Sequence, residues 1–328
     1  MKILVTGTAG FIGMHVAESL LNDGHEVVGL DNFNDYYPVR LKRDRHARLV
    51  ARQGYAGTEG DLCDVALVRS LFDRHRFEVV CHLAAQAGVR YSLERPEVYQ
   101  KSNLEGFLAI LEACRHAGTR RLVYASSSSV YGGNTKLPFS ESDSVDRPIS
   151  LYAATKKANE LMAHTYTHLF GLQTVGLRFF TVYGPWGRPD MALWLFTAAM
   201  LKGQAIKVFN HGNMRRDFTF VDDIVQGVKA SLFEPGLNPY EVFNLGNHNA
   251  ENLKDMIRTL AESLKVEPKM EFLPMQAGDV EATYADISLA QAKLGFQPRT
   301  KIAEGIPKFV AWYNQYHNSI PQTRNSKP

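Results

Sequence analysis

Three glycines near the start of the chain have the spacing of a phosphate-binding turn. Gly7, Gly10 and Gly13 follow the apolar residues 2–6, which predict a buried strand. Glycines at these positions let the backbone turn tightly, approach a pyrophosphate closely and pack the next helix against a sheet. The N-terminus of that helix presents free amides and positive potential to an anion. A dinucleotide site is predicted here, although a strand-to-helix turn that binds nothing is the alternative.

A carboxylate at the end of the next predicted strand indicates which dinucleotide fits. At that position Asp31 can accept hydrogen bonds from both hydroxyls of an adenosine ribose, and it would repel a 2′-phosphate. NAD is therefore favoured over NADP as the cofactor. Asp61 follows the third predicted strand, and it could instead be a plain loop or helix-capping residue. The other predicted cofactor contacts are Phe11, Ile12, Asn32, Leu62, Leu83, Ala84 and Ala85.

Tyr152 and Lys156 could supply acid–base chemistry beside that cofactor. One helical turn separates them, so the two side chains share a helix face, as they also would on an ordinary amphipathic helix. A free phenol has a pKa near 10, so a base at pH 7 needs a pKa about 3 units lower, roughly 4 kcal/mol. A nearby ammonium and a nicotinamide cation could provide this. Serines at 126–129 follow the fifth predicted strand and place hydroxyls opposite the tyrosine, unless they form a plain serine-rich loop.

Alternating strand and helix patterns would bring these groups together. Residues 1–180 alternate β-branched or aliphatic runs with amphipathic segments, which is typical of a parallel sheet covered on both faces. The predicted fold is α/β, a Rossmann-type doubly wound parallel sheet with a smaller mixed α/β substrate-binding domain. Strands are predicted at residues 2–6, 26–31, 55–59, 79–83, 121–125 and 174–179, and helices at residues 12–21, 67–75, 96–117 and 151–170.

Residues 181–318 are predicted to form mainly the substrate-binding domain. The pattern first loosens into a loop rich in glycine and proline, residues 183–189, before helices and short strands resume. Residues 240–246 predict a strand that returns to the NAD-binding domain, which therefore regains a segment near 220–250. The last residues, 319–328, are polar and contain proline, so a disordered tail is predicted.

The composition is that of an ordinary globular protein. The 328 residues are 45% hydrophobic and 22% charged, and the formal charge of +3 is too small to indicate nucleic-acid or membrane binding. The first predicted strand leaves no room for a signal peptide, and no apolar run is long enough to span a membrane. Cys63, Cys81 and Cys114 lack the spacing of a disulfide framework or a zinc site, and we expect buried thiols. A reducing, cytoplasmic location is therefore expected.

Three other patterns receive structural interpretations. A basic run from Arg40 to Arg52 is interleaved with apolar residues, and it predicts a solvated helix face rather than a nucleic-acid site. Asp222 and Asp223 stand between a predicted strand and a helix, where aspartate caps the helix, and we do not take them as a catalytic pair. The 11 histidines show no metal-ligand spacing, and His82 falls inside a strand that looks buried, so no metal is predicted.

A known family shares the order and spacing of these motifs. The glycine loop, Asp31, Ser127, the pair of Tyr152 and Lys156, and the segment 216–218 resemble the extended short-chain dehydrogenases that act as nucleotide-sugar epimerases and dehydratases. The resemblance covers nearly the whole chain. The longer segments 31–37, 84–92 and 275–280 are most similar to those of the UDP-glucuronate 4-epimerases.

The resemblance implies roles for the catalytic residues. Tyr152 would be the base, Lys156 its electrostatic partner and a ribose ligand, and Ser127 the hydrogen-bond donor to the reacting oxygen. Dehydratases and decarboxylases of this fold carry an acidic residue in the loop after the fifth strand. Here those positions are serine, so epimerisation is favoured over those activities.

The resemblance also implies where a UDP-sugar binds. Arg216 would bind the pyrophosphate, while Gln276 and Asp279 would lie near the UDP ribose. Many galactose epimerases carry arginine where this chain has Gln276, and that difference favours the uronic-acid branch. The residues expected at the substrate carboxylate are Ser128, Ser129, Thr181 and Arg188, the last as a countercharge.

The implied reaction is 4-epimerisation of UDP-glucuronate to UDP-galacturonate. It would proceed by hydride transfer to bound NAD, a 4-keto intermediate, rotation of the sugar and return of the hydride. The alternatives are a UDP-glucose 4-epimerase and then a UDP-glucuronate decarboxylase. From a different class, a non-catalytic NAD-binding sensor would be expected to lack part of the set Ser127, Tyr152 and Lys156. The resemblance further implies a homodimer built from the helices predicted at 96–117 and 151–170.

Overall fold

Strands and helices alternate along the first half of the chain, as the sequence predicts. The computed structural model describes residues 1–276 and 279–319. Its strands are β1 (Lys2–Thr6), β2 (Glu26–Asp31), β3 (Tyr55–Glu59), β4 (Val79–His82), β5 (Arg121–Ser127), β6 (Gln173–Phe179), β7 (Thr181–Tyr183), β8 (Ile206–Val208), β9 (Arg215–Phe220), β10 (Tyr240–Leu245), β11 (Ala250–Asn252) and β12 (Met270–Phe272). Its helices are α1 (Phe11–Asn22), α2 (Val39–Val50), α3 (Val65–His75), α4 (Tyr91–Glu94), α5 (Pro96–Tyr99), α6 (Gly106–Ala117), α7 (Leu151–Phe170), α8 (Ala192–Leu201), α9 (Val221–Phe233), α10 (Leu253–Leu264), α11 (Ser288–Leu294) and α12 (Ile302–Ser319).

Seven parallel strands form the central sheet, in the order β10-β6-β5-β4-β1-β2-β3. The order reverses between β1 and β4, and ligands of doubly wound sheets bind in the crevice at the carboxyl ends of such strands. The strand expected at 240–246 is β10, and it pairs in parallel with β6 at the edge, with Tyr240 opposite Thr174. The fold is therefore the expected Rossmann-type α/β fold. The predicted domain bounds themselves stay a prediction.

The two faces of the sheet bury separate apolar layers. In β1, Ile3 and Val5 pack with α1, α9 and α11 on one face, whereas Leu4 packs with α3, α6 and α7 on the other. Successive side chains of a strand point to opposite faces, so a strand covered on both sides is apolar throughout. This is why residues 3–5 of β1 form a continuous apolar run.

A second apolar core lies in the part of the chain that follows β6. It is formed by α8, α10 and α12 with the strands β8 and β9. β9 pairs with β7 and β11, and β8 pairs with β12. The last helix ends at Ser319, where the tail was predicted to begin, and the rest of that tail, residues 320–328, lies outside the described residues.

The helix predicted over 96–117 is interrupted. Between α5 and α6 the backbone forms a π-helical segment, Gln100–Glu105. Within it the Asn103 side chain exchanges hydrogen bonds with the backbone of Gln86, and Nδ2 of Asn159 donates to the Asn103 carbonyl over 2.6 Å. These tertiary contacts stabilise the wider turn, and periodicity alone carries no signal of them.

The basic run at 40–52 is helical, but the prediction that it forms a solvated face is wrong for two residues. Lys42 is 5% exposed and Arg45 is 0% exposed. Lys42 Nζ donates to the carbonyl and the side-chain oxygen of Asn34, both at 2.6 Å. The acceptors of Arg45 are carbonyls of segments distant in the chain, whereas those of Lys42 lie in the segment just before α2.

The prediction that Asp222 and Asp223 cap a helix is also corrected. Helix α9 begins at Val221, so both residues lie in its first turn, and no side-chain cap is found at the N-cap residue Phe220. The Asp223 carboxylate instead accepts the backbone N–H groups of Arg299 and Thr300 at 3.1 and 3.0 Å. Asp223 thus anchors the loop that precedes α12.

Candidate active site

All the predicted site residues border one cavity of about 1070 Å³. The cavity runs from the glycine loop along the carboxyl ends of the parallel strands to the part of the chain that contains β9. Its predicted lining residues are Gly7, Gly10, Phe11, Ile12, Gly13, Asp31, Asn32, Asp61, Leu62, Leu83, Ala84, Ala85, Ser127, Ser128, Ser129, Tyr152, Lys156, Thr181, Arg188, Arg216, Gln276 and Asp279.

The glycine loop is packed so tightly that side chains would not fit. Gly7 has φ +77°, and a Cβ there would lie 2.8 Å from the backbone nitrogen of Ala84. A Cβ on Gly13 would lie 2.0 Å from the carbonyl oxygen of Gly7. Helix α1 begins directly after Gly10, with no side-chain cap found for its first amides. The loop is therefore a backbone cradle with free N–H donors, which fits a dinucleotide pyrophosphate.

Asp31 lies at the end of β2 with its carboxylate oriented by the backbone. Oδ2 accepts the N–H of Ala9 and Oδ1 accepts the N–H of Phe33, both at 2.9 Å. A carboxylate has about four acceptor sites, so two hydroxyls of a ribose can still bind. Asp61, whose role the sequence leaves open, accepts the N–H of Cys63 at 2.9 Å and lies 3.4 Å from the amide nitrogen of Asn32.

A buried histidine holds the turn after β4. The Thr6 hydroxyl accepts the N–H of Ala84 at 3.1 Å, and it forms a second hydrogen bond with Nδ1 of His82 at 2.9 Å. Burial, with the Lys156 charge, lowers the pKa of His82 to about 3, so the ring is neutral. His82 is thus a neutral hydrogen-bonding partner beneath the turn formed by Leu83, Ala84 and Ala85.

The proposed base and its neighbours are positioned by the start of α7 and the end of β5. Ser150 caps α7 by accepting the N–H of Ala153 at 3.1 Å, which places Tyr152 in the first turn. Strand β5 extends two residues past its predicted end, to Ser127, whose hydroxyl accepts the N–H of Ser129 at 3.1 Å. Lys156 is 3% exposed and donates to the carbonyl of Ala125 over 2.9 Å.

Contrary to the expectation from the sequence, the pKa of Tyr152 is not lowered by the Lys156 ammonium. Burial raises the pKa of Tyr152, and the Ser127 hydroxyl and the Arg188 charge partly offset that rise. Burial lowers the pKa of Lys156 to about 8. Within this chain the opposing influences on the phenol are therefore a serine hydroxyl and an arginine, rather than the expected lysine ammonium.

Arg188 does not stand alone in the cavity. Its Nε donates to Oδ1 of Asp190 over 3.0 Å, and its Nη2 donates to Oδ2. The Tyr36 hydroxyl donates to the same Oδ2 over 2.9 Å. No role was predicted from the sequence for Asp190 or Tyr36. The signal that could have indicated Asp190 is its place two positions after Arg188.

Arginines and one aspartate lie together at the other end of the cavity. Nη2 of Arg90 lies 3.2 Å from Oδ2 of Asp279. Burial lowers the pKa of Arg216, while the Asp279 charge raises it. Oε1 of Gln276 is buried and has no hydrogen-bond partner in the described part of the chain, so it is an acceptor that a ligand can satisfy. The neighbouring residues 277–278 of the predicted ribose-binding segment lie outside the described residues.

Two basic side chains hold the loop that carries Arg188. Arg45 donates to the carbonyls of Trp186, at 3.1 and 2.6 Å, and Gly187, at 3.0 Å, and it also donates to the Ala9 carbonyl of the glycine loop at 3.0 Å. A ring nitrogen of His15 lies 2.9 Å from the Pro185 carbonyl. Arg45 therefore joins the glycine loop directly to the loop of Arg188, a connection that the basic pattern of α2 did not reveal.

Three further features of the described residues are the metal-ligating side chains, the thiols and the apolar helices. Across residues 1–276 and 279–319 there is no group of three or more His, Cys, Asp or Glu side chains that could hold a metal ion. Cys81 and Cys114 are buried and Cys63 is half-buried, so burial holds only for two of the three thiols; all three are free. Of the helices that the structure describes, none is long and apolar enough to cross a membrane.

Comparisons with known proteins agree with this geometry. UDP-glucuronate 4-epimerase 4 of Arabidopsis thaliana is 52% identical over 97% of this chain and 76% of that protein. The crystal structure of UDP-glucuronic acid 4-epimerase from Bacillus cereus, in complex with UDP-glucuronic acid and NAD, is similar with a TM-score of 0.91. That structure is 34% identical, and the match covers 96% of this chain and 100% of that one.

A neutral-sugar enzyme is similar as well. The crystal structure of UDP-glucose 4-epimerase with UDP-glucose from Thermotoga maritima has a TM-score of 0.87 at 31% identity, covering 97% of this chain and 100% of that one. The family model Epimerase, described as the NAD dependent epimerase/dehydratase family, matches residues 3–246. Since this match spans well over half of the sequence, the chain belongs to the NAD dependent epimerase/dehydratase family.

Proposed function

We propose that the protein is an NAD-dependent UDP-glucuronate 4-epimerase that interconverts UDP-glucuronate and UDP-galacturonate. The observation that carries the proposal is the single cavity that joins the glycine loop, the set Ser127, Tyr152 and Lys156, and the arginines Arg188 and Arg216. The relatives that bear this activity by name, at about half identity, support it. Such an isomerase causes no net oxidation, so its cofactor stays bound through turnover.

The cofactor is held by groups of the first domain. The amides after Gly10 bind the pyrophosphate, Asp31 binds the adenosine ribose, and Lys156 binds the second ribose. When bound, NAD supplies a hydride acceptor, a hydride donor and a positively charged ring. Glycine at position 7 lets the loop pack against the turn after β4, because a Cβ there would lie 2.8 Å from the backbone nitrogen of Ala84.

Tyr152 takes the proton of the sugar C4 hydroxyl and later returns it. Ser127 donates a hydrogen bond to the same oxygen, since the N–H that its hydroxyl accepts from Ser129 uses a lone pair and leaves the hydroxyl proton available. A positioned acid–base group contributes about 10²- to 10⁴-fold to a rate. Because burial raises the pKa of Tyr152, nearby positive charge is needed to make the phenolate available.

Inversion requires a firmly held nucleotide and a loosely held sugar. Arg216 binds the diphosphate, and Gln276 and Asp279 bind the UDP ribose. The 4-keto sugar can then turn about its bond to the diphosphate and present its other face. The unsatisfied oxygen of Gln276 supports its role as a polar anchor.

The substrate carboxylate needs its own contacts, because a 4-ketone beside a C5 carboxylate is a β-keto acid that can lose carbon dioxide. Ser128, Ser129 and Thr181 border the cavity as hydroxyl donors, and Arg188 offers the countercharge. Holding the carboxylate away from the alignment that decarboxylation needs keeps the reaction an epimerisation.

The experiment is to incubate the purified protein with UDP-glucuronate, without added NAD, and to follow the sugar signals and carbon dioxide release by NMR. We expect UDP-galacturonate and no pentose product. UDP-pentose would identify a decarboxylase instead. Conversion of UDP-glucose, with UDP-glucuronate unchanged even after NAD is added, would identify the neutral-sugar epimerase, and no conversion of either would favour the sensor.

We further infer a homodimer that uses α6 and α7. These packed helices carry exposed apolar side chains, with Leu161 57% and Leu169 61% exposed. Contiguous exposed apolar surface is typical of a protein interface. Light scattering on the purified protein tests the oligomeric state.

The free thiols support the cytoplasmic location that we also propose.

A further inference from the structure

The countercharge for the substrate carboxylate is already paired within the chain. Arg188 and Asp190 form a two-point ion pair, and both side chains remain partly exposed to the cavity, at 22% and 27%. Two-point pairs between an arginine and a carboxylate are among the strongest polar contacts in proteins. A uronate that binds Arg188 therefore meets a guanidinium whose charge is largely balanced.

Asp190 is ionised in this arrangement. Burial by itself would raise the pKa of Asp190, but the Arg188 charge and the hydrogen bonds from Arg188 and Tyr36 outweigh it and lower the pKa. The Tyr36 hydroxyl donates to the carboxylate over 2.9 Å, so the negative charge stays next to Arg188. Within residues 1–276 and 279–319, no hydrogen bond from Nη1 of Arg188 is found, so one edge of the guanidinium can still contact a ligand.

The proposed reaction makes unusual demands on such a contact. The carboxylate moves with the sugar ring when the 4-keto sugar turns, so whatever binds it must release it in every turnover. An unbalanced arginine in a cavity with little water would hold the carboxylate in one orientation. Tight binding of the ground state also gives no acceleration of the chemical step.

We propose that Asp190 is a positioning residue that weakens the hold of Arg188 on the substrate carboxylate, so that the uronate is recognised yet the keto sugar can turn. This inference rests on the proposed epimerase function. The geometry supports it in two ways, because Asp190 occupies two donors of Arg188 and because Tyr36 holds Asp190 in place.

Binding tests the first half of the proposal without turnover. In a Tyr152→Phe background, the dissociation constants of UDP-glucuronate and UDP-glucose are measured by calorimetry with and without Asp190→Asn. We expect the uronate to bind about tenfold more tightly after the substitution, since a charged partner no longer competes for Arg188. The constant for UDP-glucose should change less than about twofold. Unchanged or weaker uronate binding, or an equal change for both sugars, would overturn the proposal.

Kinetics test the second half with Tyr152 intact. For Asp190→Asn we expect KM for UDP-glucuronate and kcat to fall together, which damage to the fold does not produce. Asp190→Ser is expected to behave alike, and it keeps the test decisive if the asparagine variant folds poorly. Asp190→Glu restores the carboxylate and should move both constants back towards the wild-type values. A lower kcat with a raised KM would contradict the inference.

Asp255→Asn is the matched control. It changes the net charge identically but lies in an exposed pair with Arg258 on α10, with 2.8 Å between the charged atoms. Both constants should stay at their wild-type values. If wild-type protein binds UDP-glucuronate and does not convert it, the proposed function fails, while the binding comparison still decides whether Asp190 restrains Arg188.

Discussion

The two ends of the cavity are built from different parts of the chain and by different means. At the cofactor end, the groups that we propose to bind the dinucleotide phosphates are backbone amides of one short segment, the glycine loop at residues 7–13. At the sugar end, the groups that line the cavity are side chains from distant segments, among them Tyr36, Arg188, Arg216 and Gln276. The cofactor end is therefore formed by the backbone of the fold itself, whereas the sugar end is formed by side chains that the fold positions.

Because of this difference, we expect substitutions at the cofactor end to change both binding and stability, and substitutions at the sugar end to change binding alone. The glycine loop lies between β1 and α1 and packs against the turn after β4, so any added atom disturbs both the ligand and the core. At the sugar end, Arg188 follows loop residues 186 and 187, whose carbonyls accept hydrogen bonds from Arg45. The Arg188 side chain can therefore be exchanged while that anchor remains.

The largest effect is expected from Tyr152→Phe, which lies where the two ends meet. Loss of the proposed base should lower kcat by about 10³-fold, while the fold and UDP-glucuronate binding are kept. Turnover is followed by NMR and the fold by circular dichroism. Tyr166→Phe on the same helix is the control, because its hydroxyl bonds Glu112 away from the cavity. A Tyr152→Phe variant with near-normal turnover would assign the base elsewhere.

Gly13→Ala should disturb the cofactor end and the fold together. The added Cβ would lie 2.0 Å from the Gly7 carbonyl oxygen, so the loop must shift. We expect the free energy of unfolding to fall by about 3 kcal/mol and the retained NAD to be lost. Urea unfolding and the cofactor content of purified protein measure the two effects. In the control Gly236→Ala the nearest atom to the new Cβ is 3.9 Å away, and both quantities should stay normal.

Arg188→Ala should disturb the sugar end alone. The uronate loses its countercharge and meets an unpaired Asp190, so we expect KM for UDP-glucuronate to rise about 10- to 100-fold. Because the side chain is partly exposed and lies in a loop, urea unfolding should change little. UDP-glucose kinetics serve as the internal control. Equal losses for both sugars would mean that Arg188 shapes the loop rather than recognising the carboxylate.

The smallest effect concerns His82, beneath the cofactor turn. Its folded pKa of about 3 lies below the ordinary 6.5, so between these values the unfolded chain binds more protons and stability rises with pH. Going from pH 6.5 to about 5.5, His82 should remove about 1 kcal/mol of stability. His82→Asn keeps a hydrogen-bonding partner for the Thr6 hydroxyl and should abolish that part of the pH dependence. Urea unfolding at both pH values measures it, and identical slopes would rule out His82 as the cause.

The framework could be predicted from the sequence, and the residues of the cofactor end are a prediction from the same local patterns. Continuous apolar strands, the spacing of Gly7, Gly10 and Gly13, and the place of Asp31 after β2 are local patterns, and local patterns predict local structure. The spacing of Tyr152 and Lys156 indicated an acid–base pair, and the family resemblance then implied their roles and the UDP contacts. The sequence also predicted strand β10 and its return to the first domain, and the structure pairs β10 with β6.

The arrangement of the loops and buried charges could not be predicted from the sequence, because it depends on contacts between segments that are distant in the chain. The burial of Arg45, the role of Asp223, the π-helical turn around Asn103 and the pairing of Arg188 with Asp190 and Tyr36 join residues from different segments. A charged side chain has the same sequence signature whether it faces water or a distant carbonyl. Only the folded chain supplies the partner, and the partner decides whether the charge is free to act on a substrate.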